Sequence, residues 1–187
     1  MANSHLIPTY KRQPVAFERG QGAWLFDGDG NRYLDALSGI AVSALGHSHP
    51  ALVEAITDQA STLLHTSNLY EIDVQTRLAD RLCELSGMDA VFFGNSGSEA
   101  NEAAIKLARL HGHNRGIDMP VIVVMESAFH GRTLAALAAT GNANAQKGFE
   151  PMPAGFVRVP YGDIDAIAAL EDHNIVAVHV EPIQGEG

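Results

Sequence analysis

Ser96, Gly97 and Ser98 sit in a turn inside "FFGNSGSEANEAAIKLAR" (92–109), between a short apolar pair and a stretch patterned as a helix. Ala100, Ala103, Ala104, Leu107 and Ala108 recur there at helical spacing. The free N–H groups of a helix start, the positive end of its dipole and a glycine that admits close backbone approach make an anion site suited to a phosphate. Ser96 and Glu99 stand three apart, however, and this is also the spacing of a capping box, which needs no ligand. From this stretch alone both readings stand. Glu102 and Lys106 are placed for an i,i+4 pair on the outer side of the helix.

Other phosphate chemistry does not fit the chain. It has no G-x-x-x-x-G-K-[ST] and no G-x-G-x-x-G opening a helix after a strand, so ATPase and NAD chemistry are disfavoured. Metal chemistry fares no better. His47 and His49 are two apart with no cysteine or carboxylate set around them, and Asp27, Asp29 and Asn31 depart from a calcium loop at Arg32 and Ser38. Polar punctuation instead recurs after apolar runs, in "ESAFHGRT" (126–133) and "EPIQGEG" (181–187). Three such turns would converge on one edge of a parallel sheet.

The elements that must position these turns are legible as periodicity. "WLFDGDGNRYLD" (24–35) reads as a hairpin in a small N-terminal subdomain. Helices are predicted at about 50–64, opened by Pro50, and about 72–86, stopped by Gly87. Beyond Gly87, strand candidates at 90–93, 121–125, 156–160 and 175–180 alternate with helix candidates at 98–111, 131–139 and 164–172. Near-continuous apolar strands separated by helices predict an α/β fold with a buried, largely parallel sheet.

Charge narrows the partners. Twelve basic against 22 acidic residues, and no basic run longer than Lys11-Arg12, argue against nucleic acid and anionic membranes. The single Cys83 suits a reducing compartment, and no apolar run reaches spanning length, so a cytoplasmic protein is expected. The sequence closes on "VHVEPIQGEG", just past a strand candidate, and reads as cut short.

Five motifs in order along nearly the whole chain carry a resemblance: "SGIAVSALGHSHP" (38–50), "HTSNLY" (65–70), "NSGSEANEAAIKLAR" (95–109), "AFHGRT" (128–133) and "VEPIQGEG" (180–187). They resemble the class III aminotransferases of pyridoxal 5′-phosphate (PLP) fold type I, and among these the enzymes that act on N-acetylornithine. The resemblance implies an N-terminal subdomain and substrate-entry segment over 1–70, and over 71–187 the first part of a PLP-binding large domain. It implies that Ser96, Gly97 and Ser98 hold the cofactor phosphate and that Phe129 stacks on the pyridine ring. It further implies that Arg132 takes the substrate α-carboxylate and that Glu181 is a switch carboxylate whose arginine partner is not in this chain. Gln184 and Glu186 lie in the same turn as Glu181, and His130 is read as structural. Where similar ornithine aminotransferases carry a tyrosine, this chain has Ile40, which suits an N-acylated substrate.

A PLP transaminase also needs a lysine to bind the cofactor and move the proton. Lys11, Lys106 and Lys147 do not follow a strand in a cofactor pocket. In the family that Schiff-base lysine, and the aspartate on the pyridine nitrogen, come later than the position matching Gly187. The expected activity is transfer of the donor's δ-amino group to 2-oxoglutarate by a homodimer, with the 187-residue chain inactive alone. Ornithine, succinylated diamines and GABA remain open as donors, as do an aminomutase or racemase of the same superfamily and a non-catalytic phosphate-binding domain.

Overall fold

A computed structural model of the chain describes residues 5–185, in two compact units, Met1–Thr76 and Arg77–Gly187. The first unit opens with an antiparallel sheet of three strands in the order β1-β2-β3, comprising β1 (Phe17–Gln21), β2 (Trp24–Asp27) and β3 (Arg32–Leu34). The expected hairpin is β2–β3; the sequence pattern did not disclose β1, whose residues are largely polar and exposed. Asp27 builds the turn. Its carboxylate accepts from the amides of Asp29 and Asn31, the Asn31 side chain and the Tyr33 hydroxyl. These bonds, led by the Asn31 side chain, hold its carboxyl below the usual range.

After β3 comes a single helical turn, α1 (Ser38–Ala41), with φ of 50°, 65°, 61° and 59° at Ser38, Gly39, Ile40 and Ala41. Only glycine takes this left-handed region without cost, and the other three residues each give up roughly 1–2 kcal/mol. Asp35 and His47 brace the turn. One Asp35 oxygen accepts from the amides of Leu37 and Ser38, and the other lies 2.7 Å from His47 Nε2. His47 is fixed in turn by paired backbone bonds with Gly22. The unit continues with α2 (Pro50–Thr62), opened by Pro50, and α3 (Asp73–Ser86) runs across the boundary between the units.

The second unit is the α/β part. A parallel sheet in the order β5-β4-β6 is made by β4 (Val121–Met125), β5 (Phe156–Val159) and β6 (Ile175–His179). Successive β4 side chains point to opposite faces. Ile122 and Val124 pack with Ile105 and Ala139, from α4 (Gly97–Asn114) and α5 (Leu134–Ala139). On the other face Val123 and Met125 meet Val159, with Ala166 and Ile167 of α7 (Ile164–Ala168) against them. Burial on both faces is why β4 reads "VIVVM" with no polar alternation. A short α6 (Ala143–Gln146) follows α5.

Three expectations need correction. Residues 90–93 form no strand: they pair with no neighbour among the described residues, and Phe92 is exposed. The helices expected at 131–139 and 164–172 shorten to α5 and α7. Glu102 does not pair with Lys106; it turns toward the start of α5, accepting from the Thr133 hydroxyl and the Ala136 amide. A carboxylate that caps the unsatisfied amides of the α5 start outweighs an exposed i,i+4 pair worth a few tenths of a kcal/mol.

Candidate active site

Three chain segments meet at the carboxyl ends of β4 and β6. The first is the start of α4. Ser96 is its N-cap, with Oγ accepting from the Glu99 amide at 3.2 Å, while the Glu99 carboxylate reaches back to the Asn95 amide. The capping box therefore exists, displaced by one residue on its return arm. It leaves the amides of Gly97 and Ser98 without a protein acceptor among the described residues, and the space a side chain on Gly97 would enter is open. An anion therefore has two helix-end donors and clear backbone access.

The second segment is the turn after β4, carrying Phe129, His130, Gly131 and Arg132. Gly131, at φ 130°, lies against the α4 start so closely that a Cβ there would fall 2.2 Å from Ser98 Oγ. Phe129 is 40% exposed at this edge. Arg132 is exposed just before the α5 N-cap, Thr133, with its guanidinium 6.0 Å from the Phe129 ring centroid and no ion pair among the described residues. It borders a pocket of about 320 Å³ with Ser127, Phe129, Thr140, Asn142 and Asn144.

The third segment follows β6. Glu181 accepts from the Phe129 amide at 3.0 Å, and Gln184 Nε2 donates to the Glu126 carbonyl at 2.7 Å. The Tyr161 hydroxyl bonds the carbonyls of Glu181 and Pro182, fixing that turn from β5's side. Thus Phe129 touches Glu181, and Ser98 abuts the turn that carries Phe129 and Arg132. Glu186 lies outside the described residues. None of the three lysines is in this assembly: Lys11 and Lys106 are exposed, and Lys147 caps α6.

Sequence reasoning missed two residues here, Asn101 and His179. Asn101 Nδ2 donates to the His130 carbonyl at 2.6 Å, and its Oδ1 lies 2.9 Å from His179 Nε2. The available signal was an amide at position −4 from the buried Ile105, on the helix face that packs against the sheet. The His130 ring is 3% exposed and sits 4.2 Å from that of His179. Burial, then the neighbouring His179 and Arg158, lowers the His130 pKa to about 4, and burial also lowers that of His179 against the opposing pull of Glu181.

This has a measurable consequence. Between the ordinary value of 6.5 and about 4, the unfolded chain takes up a proton at His130 that the folded chain refuses. Stability from this group is therefore whole above pH 6.5, falls with pH through that window by at most about 3 kcal/mol, and levels off below it. Urea midpoints measured across the window should fall with pH, and His130→Asn should flatten the slope.

Residues 7–187 match the family described as aminotransferase class-III. An acetylornithine aminotransferase from Nitrosomonas europaea is 61% identical over 186 residues, covering 98% of this chain and 47% of its own length. Among solved structures, an ornithine aminotransferase from Toxoplasma gondii ME49 aligns with a TM-score of 0.91 at 33% identity, over 97% of this chain and 44% of that one. An N-acetylornithine aminotransferase from Stenotrophomonas maltophilia K279a aligns with a TM-score of 0.77 at 36% identity, over 94% and 43%. The chain spans about half the length of the curated relatives it matches. With a parallel sheet, a helix start open to an anion and a match over nearly every residue, the chain belongs to the class-III aminotransferases.

Proposed function

We propose that the complete protein, as a homodimer, transfers the δ-amino group of N-acetylornithine to 2-oxoglutarate in arginine biosynthesis. The family is PLP-dependent. The observation that carries the reading is the meeting of the α4 start, the Phe129–Arg132 turn and Glu181 at one sheet edge. The residues there suit PLP. The free amides of Gly97 and Ser98 take the phosphate together with the Ser96 hydroxyl, which spends a lone pair on the Glu99 amide and keeps its O–H to donate. Capping and phosphate binding are thus compatible uses of one side chain.

When bound, PLP supplies the electron sink for the carbon that exchanges its amine. The chain's own residues do the rest. Phe129 sets the ring plane with a flat apolar face. Arg132, with no ion-pair partner among the described residues, offers a bidentate fork to the substrate α-carboxylate and orients the amine toward the ring. Glu181, which accepts from the Phe129 amide, is the carboxylate that moves when donor and acceptor exchange. The lysine that shuttles the proton belongs to the portion of the relatives' length not spanned here.

Ornithine itself is the second reading, favoured by the closer backbone match to the Toxoplasma gondii enzyme. The 61% identity and Ile40, apolar and 79% exposed on the braced turn α1, support the acylated donor. The test is to assay the complete protein with both donors. Glutamate formation dependent on PLP and 2-oxoglutarate, with higher kcat/KM for N-acetylornithine, is the expected result, and the 187-residue chain should show none. Preference for free ornithine would shift the assignment to that reading, and turnover without any keto acid would point to an aminomutase or racemase.

A further inference from the structure

We propose that Asn101 is a positioning residue for the PLP ring, tying the turn that presents Phe129 to the β6 exit that presents Glu181 through one side-chain amide. The proposal rests on the PLP reading above. Its basis is a chain of hydrogen bonds whose directions the chemistry determines. The His130 carbonyl can only accept, so the Asn101 atom 2.6 Å away is the donating Nδ2. The other amide atom is then Oδ1, which can only accept, and the His179 nitrogen 2.9 Å from it must carry its hydrogen on Nε2. Asn101 thus fixes both the backbone after Phe129 and the tautomer of His179.

The turn it holds has no slack. The Phe129 amide donates to Glu181, the His130 amide donates to Thr140 Oγ1, and the His130 carbonyl accepts from Asn101. Phe129 is therefore suspended between anchors on β6's exit, on the end of α5 and on α4. The His130 ring, tilted against His179 at 4.2 Å, fills the space between the two strand exits. Because Asn101 sits one turn beyond Gly97 and Ser98 on the same helix, it sets the Phe129 ring at a defined distance from the amides assigned to the phosphate. No other residue type of this length supplies one donor and one acceptor in a fixed plane. Aspartate keeps the acceptor for His179 and loses the donor for His130, whereas leucine fills the volume and loses both.

The experiment uses the full-length enzyme, as wild type, Asn101→Leu and Asn101→Asp, with Ile105→Val as a variant that loosens the same helix face without touching the turn. PLP is added to each apoenzyme, and the cofactor's visible circular dichroism is measured per mole bound, beside kcat, KM and the melting temperature. Both Asn101 variants should lose about threefold or more of that signal and roughly 10- to 100-fold in kcat, since small misplacements of a reacting group cost rate on this scale. Ile105→Val should melt lower yet keep the wild-type signal per bound PLP. Wild-type dichroism and kcat in both Asn101 variants would overturn the positioning role while leaving the PLP reading intact. A wild-type enzyme that binds no PLP would overturn both. If Asn101→Leu does not fold, Asn101→Asp decides alone.

Discussion

Gly141→Ala should destabilise the protein by about 3 kcal/mol or more, a large share of the roughly 5–15 kcal/mol that keeps a typical domain folded. Gly141 follows Thr140, the C-cap of α5, and its amide donates to the Ala128 carbonyl at 2.7 Å. A Cβ there would lie 2.4 Å from the Ser127 nitrogen and 2.8 Å from both the Ala128 nitrogen and the Met125 carbonyl oxygen. All three are backbone atoms of the β4 exit, so no side chain can rotate away. The exit itself has little freedom, because Ser127 already sits at φ 58°. Relief requires α5's end to retreat, carrying with it Thr140, which holds the His130 amide. Gly148→Ala provides the contrast: φ is 89°, nothing lies within 4 Å, and the cost should be only about 1–2 kcal/mol of backbone strain. Denaturant unfolding of both variants checks this, and a Gly141→Ala protein as stable as Gly148→Ala would refute the close-approach account.

Arg132→Ala in the complete protein should lower kcat/KM for N-acetylornithine and for 2-oxoglutarate by roughly 1,000-fold while leaving PLP affinity within about threefold. Two charge-assisted hydrogen bonds to a carboxylate, at roughly 2 kcal/mol each, account for a loss of that size. Stability should move the other way. Arg132 precedes the α5 N-cap, where a positive charge opposes the helix dipole, and it has no ion-pair partner among the described residues. Removing it should leave the melting temperature unchanged or slightly higher. Arg132→Lys keeps the charge and loses the planar fork, so it should recover only part of the rate. Retention of both KM values in Arg132→Ala would remove this residue from substrate binding.

What the sequence discloses about this fold follows the range of the interactions. The α4 start was readable because Ser96, Glu99 and the alanine pattern act within one or two turns. The parallel sheet was readable because burial on both faces writes an unbroken apolar run at β4. Residues 90–93 carry the same kind of run, yet pairing depends on a neighbouring strand that local pattern does not report. The Asn101 bonds span 29 and 78 positions and the Glu102 cap spans 31, distances at which no periodicity operates. The left-handed turn α1 was hidden for another reason. Ser38, Ile40 and Ala41 have no preference for positive φ, and the conformation is imposed by Asp35 and His47 from outside the turn.

The sheet order has a consequence during synthesis. β4 is the middle strand, but its partners β5 and β6 come later in the chain, and about fifty residues separate the end of β4 from the start of β6. At a ribosomal rate of roughly 5–20 residues per second, the β6 edge of β4 waits on the order of 3–10 s for its cover. "VIVVM" has no charge and no proline, the composition of a self-pairing segment. Between the emergence of Met125 and that of His179 the nascent chain therefore exposes an unpaired apolar strand edge of the kind that aggregates.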